Sequence, residues 1–255
     1  MSRSLPDASA GLLRAWPASA LAVWAAAWQA GLASPDDVLH TLHDFSESHE
    51  LDTGGTALDL VQLVGAATRS AVVFPAPGDV QGLPPGALGR EVLDAGEVLI
   101  LERTDGPPLA LAARGSIERC RWSVRVLPPE TEVEVLGGDQ PAGELEYELR
   151  EAVGEAATVI AGLTGPRTGG PADLRDALAA RTAAAALDLP PHELRRVDRI
   201  LATTAQIDAI VDLAGEIGAT AGQLDSADCQ LRRLTTLTRR ARAAAINALL
   251  RDYRR

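Results

Sequence analysis

The hydrophobic rhythm of the chain changes twice. Apolar residues recur at helical spacing up to about residue 68, then alternate or run together, and return to the helical period from about residue 143. Residues 9–31 predict a helix with Leu12, Leu13, Trp16, Val23, Trp24 and Trp28 roughly on one side. Ser34-Pro35-Asp36-Asp37 predicts the start of a second helix. Serine caps, proline suits the first turn, and the two acids complement the helix dipole. Val38, Leu39, Leu42 and Phe45 form its apolar face. Thr53-Gly54-Gly55 separates it from a third helix over 56–68, which carries Leu58, Val61, Leu63 and Val64.

The middle of the chain has β texture. Ala71 to Phe74, Glu97 to Glu102 and Leu109 to Ala113 are short apolar runs, with a turn at Thr104-Asp105-Gly106-Pro107 between the last two. Arg119 to Val126 alternates: Cys120, Trp122, Val124 and Val126 face one way, Arg119, Arg121, Ser123 and Arg125 the other. That is the pattern of a half-buried antiparallel strand. Beyond Pro128-Pro129, Glu132 and Glu134 alternate with Val133 and Val135, which predicts a hairpin pairing the arginine row with these acids. Such pairing accounts for the arginines without an anionic ligand.

Gly137-Gly138-Asp139-Gln140-Pro141 reads as a linker. Helices are predicted over 143–163, 171–187, 191–217 and 223–253, with breaks at Gly165-Pro166, Pro190-Pro191 and Gly218 to Gly222. Ile200, Thr203, Ile207, Ile210, Ala214, Ile217, Ala221 and Leu224 keep a seven-residue rhythm that fails at Asp228 and Thr235. A helical hairpin turning at Gly218 to Gly222 follows, with Asp208 expected near Arg232 and Asp198 near Arg242. The fold class is therefore α+β. N-terminal helices and a small antiparallel sheet of four to five strands occupy 1–137, and an all-helical bundle occupies 143–255.

Composition narrows the chemistry. The 255 residues are 46% hydrophobic and include no lysine; all 24 basic residues are arginine. With the abundant Ala, Gly and Pro, this points to a high-GC bacterial genome. It excludes a lysine Schiff base, a lysine-bearing P-loop and a kinase-type lysine. Cys120 and Cys229 form neither a disulfide framework nor a zinc pattern, which suits a reducing cytoplasm. Ala15 to Ala33 carries no charge, but it is rich in Ala and interrupted by Pro17, Ser19 and Gln29. It reads as a buried helix and not a membrane span. The Trp trio is expected in the core, not as a ligand box.

Three candidate sites remain. Phe74 to Gly86 is a Gly/Pro loop after a strand, where Gly78, Asp79, Gln81 and Gly82 could approach a ligand. Pro75, Pro77, Pro84 and Pro85 remove backbone donors and Asp79 adds negative charge, so a phosphate cradle is disfavoured. His40, His43 and Glu47 have helical spacing that could present metal ligands, but no other segment supplies an obvious fourth, and their face lies opposite Leu39 and Leu42, so a solvated face is the better account. No nucleophile, dinucleotide or metalloprotease motif occurs, no family motif stands out, and no cofactor is called for.

The third candidate is electrostatic. Net charge is −11, yet residues 231–255 hold eight arginines and one aspartate, a net of +7. Arg232, Arg233, Arg239, Arg240, Arg251 and Arg254 share one arc of the last helix, opposite Leu231, Leu234, Ala241, Ala245 and Leu249. The apolar face is too thin for a membrane surface. The acidic body opposes nucleic acid and favours an acidic protein surface, the chain's own or a partner's. The sequence thus points to a noncatalytic interaction or adaptor protein in the cytoplasm, self-associating or docking a partner through this helix. The alternatives are a ligand-binding protein or enzyme with a site between the sheet, the 75–86 loop and the N-terminal helices, and a nucleic-acid binder.

Overall fold

A computed structural model describes residues 15–85, 89–136, 142–162, 171–216 and 221–255. The protein is α+β, and it divides into two compact units, Met1–Glu134 and Val135–Arg255. The first unit runs α1 (Pro17–Gln29), α2 (Pro35–His43), β1 (His49–Leu51), α3 (Ala57–Gly65), β2 (Arg69–Val73), α4 (Arg90–Ala95), β3 (Val98–Glu102), β4 (Leu109–Gly115) and β5 (Cys120–Val126). Its five strands form one sheet in the order β1-β5-β4-β3-β2. Every neighbouring pair is antiparallel except β1 with β5, which is parallel, so the sheet is mixed.

α1 begins later than its apolar pattern suggests, and residues 9–14 lie outside the described residues. Trp16 sits before the first turn with φ 71° and offers no side-chain cap. The cap comes from Glu97, just before β3. Its carboxylate accepts from Ala18 N (2.6 Å), Ser19 N (3.0 Å) and Ser19 Oγ (2.6 Å). A buried carboxylate at a helix N-terminus satisfies orphan N–H groups and complements the dipole. α1 is buried from Pro17 to Val23 and again from Ala25 to Ala27, so it is enclosed on nearly every side. Gln29 Nε2 then donates to the carbonyls of Val64, Gly65 and Ala67, closing the C-terminal end of α3.

α2 starts as expected, with a complete capping box between Ser34 and Asp37. α3 starts with a second one, between Thr56 and Asp59. In β5, Cys120 and Trp122 are buried while Arg121 is exposed, as the alternation requires, but the pattern lapses at the end of the strand, where Val126, expected on the buried side, is exposed. β4 and β5 are joined by a tight reversal at Gly115, where φ is 146° and a Cβ would lie 2.1 Å from the Arg119 carbonyl oxygen.

The hairpin expected after β5 does not form. Val133–Val135 is a 3-10 turn, and the β5 edge meant for it is occupied by β1. The consecutive prolines 128 and 129 contribute no N–H to extend a ladder. The arginine row accordingly finds other acids. Arg125 bridges Asp52 (2.7 Å) and Glu91 (2.9 Å), and Arg119 lies 3.7 Å from Glu50. Glu134 instead meets Arg69 of β2.

The second unit contains α5 (Ala142–Gly162), α6 (Pro171–Ala184), α7 (Arg195–Glu216) and α8 (Ala221–Asp252). α5, α7 and α8 pack mutually as a three-helix bundle, and α6 packs on α7. The linker at 137–141, the break at Gly165-Pro166 and residues 218–220 of the expected turn lie outside the described residues. α7 and α8 pair closely, but at a different height from that expected. Asp208 bonds Arg242 at 2.5 Å, and Asp198 lies 3.2 Å from His192. The repeat defines which face is shared; sliding one helix along the other by whole turns preserves that face, so the height is left open. Tyr253 Oη donates to the carbonyls of Pro190 and Pro191, tying the end of the chain to the segment before α7. Among the described residues, no helix is long and apolar enough to cross a membrane.

Candidate functional site: a two-signed groove between α5 and α8

α7 holds the two walls of this groove from behind. Glu146 of α5 accepts from Arg199 (2.9 Å) and Arg196 (3.1 Å) of α7. Arg199, with Arg196 and Arg150 beside it, holds the Glu146 carboxyl below its usual pKa. Asp208 of α7 grips Arg242 of α8, whose side chain is only 4% exposed. These contacts fix the rotation of α5 and α8 about their axes, and so decide which residues face outward between them.

The result is a groove of about 740 Å³. Tyr147, Glu148, Glu151 and Glu155 line the α5 side, while Arg232, Arg233, Thr236, Leu237 and Arg240 line the α8 side. Residues 232, 236 and 240 are a turn apart, as are 233 and 237, so the spacing of α8 alone brings them to one face. Ala152 and Leu234, both buried, form the floor. One wall is therefore acidic and the other basic. Arg233 and Glu155 approach across the gap to 3.6 Å.

Three of the six arginines expected at a docking surface line the groove. Arg239 is half-buried and outside the lining, and Arg251 and Arg254 are exposed near the end of the chain. Glu144, Glu146, Glu148 and Glu151 form a run of acids at the start of α5. The structure separates that run, turning Glu146 towards α7 and Glu148 and Glu151 into the groove.

The other candidates are placed differently. α2 ends at His43, so Glu47 leaves the helical face on which it was expected beside His40 and His43. Among the described residues no three metal-ligating side chains are gathered. His49, close in sequence, is buried: Trp122 Nε1 donates to its Nδ1 (2.9 Å), and its Nε2 donates to the Leu42 carbonyl (2.8 Å). The 75–86 loop closes on itself. Ala76 and Asp79 exchange backbone bonds around Gly78, and Gln81 Oε1 accepts from Phe74 N at 2.9 Å. Gly82 follows in the left-handed region, exposed. The Trp residues do not make one box: Trp16 packs edge-on against Phe74, while Trp28 covers Gly65.

Cys120 is buried and burial pushes its thiol up to about 12, so it is not a ready nucleophile. The groove itself offers carboxylates, guanidinium groups, one aliphatic hydroxyl and one phenol.

Residues 18–135 match the family described as Rv1486c-like protein, N-terminal domain, and residues 143–243 match Rv1486c-like protein, C-terminal domain. The chain is similar to Rv1486c of Mycobacterium tuberculosis strain H37Rv, at 28% identity over 92% of this chain and 97% of that protein. It is similar to ML1804 of Mycobacterium leprae at the same identity and coverage. Both are described as uncharacterised. No solved structure matches the chain.

Proposed function

We propose that this chain, whose two halves match the two domains described for Rv1486c-like proteins in the same order, docks another protein through the α5–α8 groove of its C-terminal unit. In this reading the protein is a noncatalytic adaptor of the cytoplasm, a setting that suits two free cysteines. The observation that carries it is the pairing of an acidic wall with a basic wall across one groove. A polyanion drawn to Arg232, Arg233 and Arg240 would meet Glu148, Glu151 and Glu155 at once. A protein surface can present both signs at matched positions, and Tyr147, 63% exposed at the rim, is a side chain enriched in such interfaces.

The test is a photoreactive residue placed at Thr236 in the full chain, expressed in its own cells. A protein adduct that disappears with Arg233→Glu is the expected result, with the same probe at Arg121 of β5 as the control. Adducts to nucleic acid alone, or none from position 236, would overturn the reading.

A further inference from the structure

We infer that the occupant of the groove is a second copy of this chain, related by a twofold axis running along the groove. The inference rests on the docking reading above and names the partner.

A closed dimer brings the same patch together from both copies, so that patch must complement itself. Two face-to-face arrangements leave α5 and α8 aligned with their counterparts. If the axis crosses the groove, acid wall lies over acid wall and arginine wall over arginine wall, and both contacts repel. If the axis runs along the groove, α5 of each copy lies over α8 of the other. The acidic wall of each copy then faces the basic wall of the other on both sides of the axis.

The second arrangement has a further property. Rotation about an axis along the groove leaves heights along it unchanged. Residues level with each other across the groove in one copy therefore meet again between copies. Arg233 and Glu155 are such a pair. In the dimer each keeps its partner at hand and gains a second, so two separate ion pairs become a four-charge network. Networks of this kind resist screening and side-chain disorder better than isolated surface pairs. The small buried floor of Ala152 and Leu234 lets the facing helices approach, with Tyr147 and Leu237 supplying apolar contact. A uniformly charged peptide complements one wall and offends the other, whereas a second copy carries both signs at the right separation by construction.

The test uses the full chain and two charge-reversed grooves. One variant, Glu148→Arg/Glu151→Arg/Glu155→Arg, has two basic walls; the other, Arg232→Glu/Arg233→Glu/Arg240→Glu, has two acidic walls. Sedimentation equilibrium at tens of micromolar is expected to give the wild type the mass of two 26.7 kDa chains. Each variant alone is expected as a monomer, and an equal mixture as a heterodimer, because mixing restores opposite signs at every contact. Circular dichroism checks that the variants remain helical. If a triple variant fails to fold, Glu155→Arg and Arg233→Glu replace it; each is expected to weaken the dimer about tenfold or more, and their mixture to recover part of the loss.

A monomeric wild type overturns the inference. So does a dimer that both reversals leave intact, because its interface then lies elsewhere. A monomeric wild type that still crosslinks from position 236 to a different protein removes self-association and keeps docking. Absence of both the dimer and the protein adduct removes the two together.

Discussion

Glu97 caps a helix that begins 80 residues before it, through a 2.6 Å bond from the hydroxyl of Ser19 and two more from the backbone. α1 has no acid in its first turn and no cap of its own. Glu97→Ala should therefore cost about 2–4 kcal/mol, since it strands buried donors as well as removing charge from the helix end. Glu97→Gln keeps one acceptor and should cost about half as much. Urea melts of the two variants against wild type give the comparison, and equal losses would contradict the capping account.

His49 should make stability fall in mild acid. Burial holds its pKa below the usual imidazole value, helped by His43 nearby and opposed by the bond to the Leu42 carbonyl. At a pH well above about 6.5 the ring is neutral whether the chain is folded or not. As the pH falls, the unfolded chain takes up the proton first, so stability drops until the folded value is passed. His49→Gln can accept from Trp122 and donate to Leu42 but does not titrate. The urea midpoint of this variant should decline less than that of wild type between neutral pH and mild acid. Parallel declines would assign the acid loss to other groups.

Breaking the Asp208–Arg242 pair should be worse than removing it. Arg242→Ala leaves a carboxylate facing an apolar helix interface and should cost about 3 kcal/mol. Arg242→Met with Asp208→Leu should lie within about 1 kcal/mol of wild type. A double-mutant cycle reads the coupling directly, and additive losses would show that the pair is not a unit.

The two cysteines should differ in reactivity. Cys229 is exposed on α8, whereas Cys120 is buried in β5 with its thiol held near 12 by burial and by the charge of Glu97. A thiol reagent near neutral pH should modify one site promptly and the other more than about a hundredfold more slowly, unless denaturant is added. Peptide mapping identifies which is which; prompt labelling of Cys120 would mean that β5 opens readily.

Much of this architecture was legible in local patterns. The Ser34 capping box, the alternation in β5 and the helical period after residue 143 each depend on neighbours within one element. The failures share a cause: their partners are distant in sequence. β1 is three residues long, too short to show a period, and exists by pairing with β5. α4 is six residues long and holds Glu91 where Arg125 can reach it. The arginine wall of the groove could be read from helix spacing, but the acidic wall could not. Whether Glu146 or Glu148 faces α8 depends on how α7 turns α5, and no spacing within α5 records that.

α1 carries one more consequence, for how this fold can drift. Most of its enclosed positions are alanine, and Trp28 near its end already presses on Gly65, where an added Cβ would lie 2.5 Å from the ring. Interiors packed in this way have no slack for an extra methylene. Sequence change along this segment should therefore proceed by exchange among small residues, or by paired changes in which a neighbouring element shrinks as α1 grows. The slowest-changing stretch of the N-terminal unit would then be its plainest, one whose chemistry consists almost wholly of occupying little space.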